Sequence, residues 1–179
     1  MSILSRLLAP RNFRMTKDAI SIAKLKQSNE WRIVSELDDA DPYIVMHRCP
    51  VGVPADRDGY EGFLSFQWVY DDEGSFRLAN ELERELIDSL TGAINRRFEV
   101  NNIGVLLFTM ESNGLCQWII ITTDPNQAMI EAIEASSENP GTKKYFGEKF
   151  GRFNTQIFHD PKWEQIKKIQ RLFRAKSKS

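Results

Sequence analysis

The chain has 179 residues, 41% of them hydrophobic and 27% charged, which suits one soluble domain large enough to bury its own core. No apolar run nears the ~20 residues of a membrane span, and Arg6 breaks the short apolar stretch at the start, so neither a span nor a secretory leader is expected and the cytoplasm is the default compartment. The formal charge of −1 hides an uneven layout: residues 1–27 and 160–179 each stand at +5, leaving −11 on 28–159, a balance that disfavours nucleic acid and favours a basic protein as partner.

In chain order, Ile3, Leu4, Leu7 and Leu8 line one side of a turn or short helix that Pro10 stops, and 16–28 continues as a helix, so 1–28 is expected to be a helical arm. The β-rich runs 31–34 and 43–46 flank the Asp-rich turn 37–42 and read as a hairpin. Residues 50–62, rich in Pro, Gly and Asp, form a loop long enough to carry function. Leu64, Phe66, Trp68 and Tyr70 then alternate with other residues at a strand's period of two. The spacing of Phe76, Ala79, Leu82, Leu86, Leu90 and Ile94 predicts a helix over 76–95, with Glu81, Glu83, Glu85 and Asp88 outside. Two apolar runs, 103–110 and 115–122, meet at Asn113-Gly114, a strong hairpin signal. Asp124-Pro125-Asn126-Gln127 opens a helix with Met129, Ala132, Ile133 and Ser136 inside, Asp capping and Gln reaching back. Phe153, Thr155 and Ile157 fit a last strand, and Asp160-Pro161 starts a C-terminal helix carrying Trp163, Ile166, Ile169 and Phe173.

From residue 62 to 160 the order is strand, helix, strand, strand, helix, strand. The expected fold is therefore α+β: a ferredoxin-like βαββαβ antiparallel sheet with helices on one face, extended by an N-terminal β-hairpin and a C-terminal helix. Residues 29–175 make the single domain and 176–179 a basic tail.

Motifs for chemistry are sparse. His47 and His159 are far apart and no metal-ligand spacing joins them, so neither metal nor cofactor is expected. Cys49 and Cys116 read as buried free thiols. His47 and Cys49 lie two apart on a strand and point the same way, with Arg48 beside them. They motivate the alternative reading, a small ligand-binding domain or enzyme with its site near the 47–62 loop. Trp68 and Trp118 read as core; a base-stacking role would need a basic-aromatic consensus that the chain lacks. No phosphate-cradling glycine loop or nucleophile elbow occurs.

Trp31, Pro42-Tyr-Ile-Val-Met-His-Arg48 and Gly62-Phe-Leu-Ser-Phe-Gln-Trp-Val-Tyr70, followed by Leu82-Glu-Arg-Glu-Leu86, 118–124 and Asp160-Pro-Lys-Trp163, resemble the domain-of-unknown-function 695 family over about residues 31–165. The resemblance implies a bacterial, cytoplasmic α+β protein and supplies no catalytic residues. By analogy, small acidic bacterial domains serve as regulators or as immunity proteins that neutralise a toxin. The function expected is a non-enzymatic protein-binding module that meets a basic partner. Its candidate contact residues are the turn acids Asp38, Asp39, Asp41, Asp56, Asp58, Asp71, Asp72 and Glu73.

Overall fold

The computed structural model describes residues 22–27, 30–37, 42–48, 59–71, 77–138 and 153–160, together with 162, 164 and 167. The elements run α1 (Ile22–Gln27), β1 (Trp31–Glu36), β2 (Tyr43–Arg48), β3 (Gly62–Val69), α2 (Glu81–Val100), β4 (Gly104–Ser112), β5 (Leu115–Thr122), α3 (Pro125–Glu138) and β6 (Phe153–His159). The chain is α+β: one six-stranded sheet in the order β1-β2-β4-β5-β3-β6, every neighbouring pair antiparallel. β5 lies between β3 and β4, and β3 lies between β5 and β6, so α2 and α3 each join strands that are not neighbours. The expected N-terminal hairpin is present as β1 and β2, and it extends the sheet beyond β4. No helix among the described residues is long and apolar enough to cross a membrane.

Strict alternation divides the central strands between two cores. Leu64, Phe66 and Trp68 of β3, Leu106 of β4, and Trp118 and Ile120 of β5 pack against Leu86, Leu90, Ile94 and Phe98 of α2 and Ala128, Ala132 and Ala135 of α3. Phe66 stacks on Phe153 of β6 with ring centres 5.0 Å apart. Phe63, Val105, Ile119 and Ile121 face the other way, where Ile22 and Leu25 of α1 and Tyr60 cover them. Helices on one face is therefore right for α2 and α3, while α1 seats two buried side chains on the opposite face. A register shift between Leu106 and Phe108 makes room for Leu107, and both Leu107 and Phe108 turn into this second core.

Local chemistry explains the ends of the elements. Asn113 and Gly114 both have positive φ, 53° and 75°, the two-residue turn that matches a hairpin's twist. α2 starts at Glu81 rather than 76, because Asn80 and Glu83 form a reciprocal capping box; it runs on to Val100. That start sets the phase of the helix, so Glu83 is buried and Leu82 is 53% exposed. Asp124 caps α3, its Oδ1 accepting from Asn126 N and Gln127 N at 3.0 Å each. The Gln127 side chain does not reach back; it donates to Glu131 Oε1 at 2.9 Å. The inner stripe of α3 is Ala128, Glu131, Ala132, Ala135 and Ser136, and Ile133 is exposed. Most of the expected C-terminal helix lies outside the described residues, though Asp160 Oδ1 accepts from Glu164 N at 2.7 Å as a cap would.

Candidate functional site

Charged side chains gather where the β4–β5 hairpin meets the entry to α2. The hairpin's Gly114 O accepts from both Tyr70 N and Asp71 N at 2.9 Å, and Gly114 N donates to Arg77 O at 2.9 Å. A β-carbon on Gly114 would lie 2.6 Å from Asp71 O, so only glycine allows this approach. The brace holds Arg77 in place. Its guanidinium grips Glu83 with two bonds, Nη1 to Oε2 at 2.6 Å and Nη2 to Oε1 at 2.9 Å. Its Nε lies 3.3 Å from Asp71 Oδ2, and it sits over the Tyr70 ring, 5.2 Å from the centre. Glu83, the third residue of α2, also accepts from Asn80 N at 2.9 Å. One arginine thus ties the loop after β3 to the cap of α2.

Glu111 of β4 lies on the helix-covered face of the sheet. Its Oε1 accepts from Ala79 N at 2.7 Å, and Arg84 Nη2 is 3.5 Å away. Burial pushes its carboxyl above the usual range, against the pull of the Ala79 N–H and of Arg84, while Asp88 adds to the rise. Burial likewise holds the Cys116 thiol protonated, with Glu111 and Asp88 pushing the same way. The Tyr70 hydroxyl is raised by burial first and then by Glu111. A protonated, fully buried thiol is a poor nucleophile. Chemically, this cluster stores and balances charge between the sheet and a helix start.

The outer side of the helices has a different character. Arg97 of α2 reaches across to α3, its Nη1 at 2.5 Å from Glu131 and 2.8 Å from Glu134, its Nη2 at 2.6 Å from Glu138. Those bonds hold its guanidinium above the ordinary arginine value, so its charge is permanent. Around it, α2, α3 and the cap Asp124 carry nine carboxylates, of which Glu83 and Glu131 are buried, against Arg84, Arg96 and Arg97. Glu81, Glu85 and Asp88 are exposed and follow one another at four- and three-residue steps, so they form a single acidic stripe along α2.

Of the acids singled out from the sequence, Asp71 is described, and its side chain is 7% exposed and paired with Arg77. Asp38, Asp39, Asp41, Asp56, Asp58, Asp72 and Glu73 lie outside the described residues, as does Cys49. His47 and Arg48 belong to β2, and His159 ends β6, exposed, with Nε2 3.7 Å from Glu61. Among the described residues no group of three or more His, Cys, Asp or Glu is placed to hold a metal ion. Sequence reasoning missed Arg77 and Glu111, which act across 6 and 32 residues of chain. One local signal did exist: Asn80-x-x-Glu83 has the spacing of a capping box. Set against known family models, curated proteins and solved structures, the chain matches none.

Proposed function

We propose that this chain is a non-catalytic binding module that holds a basic protein against the outer side of α2 and α3. The observation that carries this reading is the charge of the helical layer, seven carboxylates besides the buried Glu83 and Glu131 to three arginines, with the exposed stripe Glu81, Glu85, Asp88 at its edge. Burying such a stripe against lysine or arginine side chains would speed encounter and select for partners of opposite charge. The acidic turns expected from the sequence would add to the same field. The strand order β6-β3-β5-β4 supports reading the core as ferredoxin-like, with β2 and β1 appended. The narrower reading, an inhibitor or immunity protein that neutralises a basic toxin in a bacterial cytoplasm, leans on the resemblance to the domain-of-unknown-function 695 family.

The test begins with a partner retained from a lysate of cells that make the protein, followed by association kinetics at low and high salt. The variant Glu81→Lys/Glu85→Lys/Asp88→Lys keeps good helix formers on the exposed side of α2, and circular dichroism checks its fold. It should slow association at least ~10-fold at low salt, a difference that shrinks as salt rises. An association rate unchanged by all three reversals would reject this surface.

A further inference from the structure

We infer that the helix-covered face of the sheet has a third, open place over β1 and β2, and that a basic amphipathic helix of a partner protein lies there beside α2. That helix would be the element by which the basic partner proposed above is held, so its docking presupposes the role given to the acidic stripe. Neighbouring strands lie about 4.8 Å apart and packed helices about 8–10 Å apart, so each helix spans roughly two strands. On this face α3 packs on β3 and β6 and α2 packs on β4, with β2 and β1 beyond α2. The sheet therefore has room for three helices, of which the described residues supply α2 and α3; α1 lies on the opposite face.

Register gives this place an apolar floor. Glu111 lies on the helix-covered face opposite Ile44, so Ile44 and Met46 of β2 face the same way, and Ile33 of β1 shares that face with Met46, its partner across the hairpin. Ile33 is 68% exposed in mid-strand and Leu37, just past the end of β1, is 61% exposed; Ile44 and Met46 are half-buried. Contiguous apolar exposure of this kind marks an interaction surface. The wall beside it is acidic. Arg97 marks the side of α2 that faces α3. At 3.6 residues per turn, Asp88 precedes Arg97 by two and a half turns and Glu81 by close to four and a half, so both stand on the opposite side, toward β2. Arg84 lies on that side too, 3.5 Å from Glu111 Oε1, where its charge is met. Glu85 follows Glu81 by one turn and adds to the rim. An apolar floor beside an acidic wall fits a helix with apolar residues at i, i+3, i+4 and i+7 turned to the sheet and lysine or arginine along the side next to α2.

The probe is a fluorescent peptide of leucine and lysine, about 18 residues or five turns long, with its leucines at that helical spacing; a peptide of the same composition in scrambled order is the control. Anisotropy titration with the full-length protein should show the first bind in the micromolar range and the second at least ~10-fold more weakly. Ile33→Thr/Leu37→Ser, which keeps a β-former in β1, should weaken binding at least ~10-fold at low and high salt alike. Glu81→Lys/Glu85→Lys/Asp88→Lys should weaken it mainly at low salt. Circular dichroism checks both folds. Equal binding of the two peptides, or floor substitutions without effect while the reversals act, would overturn the docked helix and leave the stripe standing as a surface for a basic partner. Indifference to both sets of substitutions would sink the docked helix and the stripe together. A full-length protein that takes neither peptide, its floor held by its own C-terminal segment or by a second copy, overturns the inference as well.

Discussion

The hydroxyl of Thr91 links the indole of Trp118 to helix α2, and replacing Thr91 with valine isolates one buried hydrogen bond. Trp118 Nε1 donates to Thr91 Oγ1 at 2.8 Å, and that hydroxyl donates on to Ile87 O at 2.6 Å. Thr91 is 6% exposed and Trp118 0%, so water cannot replace the lost acceptor. Valine keeps the shape and the β-branch of threonine, so packing and helix propensity change little. The indole N–H is left without a partner, which costs about 1–3 kcal/mol. The Ile87 carbonyl keeps its helical bond and contributes little. For a chain of this size, a loss of about 2 kcal/mol lowers the melting temperature by roughly 4–8 °C. Urea unfolding followed by circular dichroism reads the change directly. The decisive control is a cycle with Trp118→Phe, which removes the donor: in that background Thr91→Val should cost less than about 0.5 kcal/mol. An equal cost in both backgrounds would show that the hydrogen bond is not what Thr91 contributes.

Further predictions concern the charged cluster and the hairpin. Because burial raises the Glu111 carboxyl above its ordinary 4.5, the folded chain holds that proton more tightly than the unfolded one. Stability from this group is therefore gained as pH falls through the interval from the ordinary to the raised value, and lost as pH rises through it. Glu111→Gln can keep the Ala79 N–H bond, so it should raise the urea midpoint at neutral pH and flatten its dependence on pH; a lowered midpoint at neutral pH would contradict this. Arg77→Gln should cost about 1.5–3 kcal/mol, since Glu83 stays buried without its guanidinium. Arg77→Lys should recover less than half of that loss, a single ammonium being unable to make the paired bonds; full recovery in denaturant titration would argue against the two-bond grip. Gly114→Ala should cost more than about 1–2 kcal/mol, from φ of +75° and from the approach of its β-carbon to Asp71 O. Thermal unfolding unchanged by that substitution would mean that the hairpin tip does not press on residue 71.

Much of the fold was legible where the signal is local. Alternation marked β3, Asn113-Gly114 marked the hairpin tip, and Asp124 ahead of Pro125 marked the start of α3; each depends on neighbours within a few residues. Phase was less legible. Leu82 and Ile133 look like core residues by type, yet cap geometry and the alanines of α3 turn them outward, while the charged Glu83 and Glu131 turn in because arginines meet them. The candidate site was the least legible part. Net acidity pointed to the turns; helical spacing already set Glu81, Glu85 and Asp88 outside but grouped Glu83 with them, and the capped start of α2 turns Glu83 inward. Pairs such as Glu111 with Ala79 join distant stretches of chain, and nothing in either stretch announces the other.

The position of β3 between β5 and β6 has a bearing on how this protein is made. Both of its neighbours come later in the chain, and the last residue of β6, His159, is 90 positions beyond Val69. At a ribosomal pace of about 5–20 residues per second, Phe63, Leu64, Phe66 and Trp68 wait roughly 5–18 s for both flanks to be synthesised. During that interval the most aromatic strand of the sheet has lost the shelter of the exit tunnel and has not gained its own. Early engagement by a holding chaperone, and aggregation of chains truncated before β6, follow from that delay.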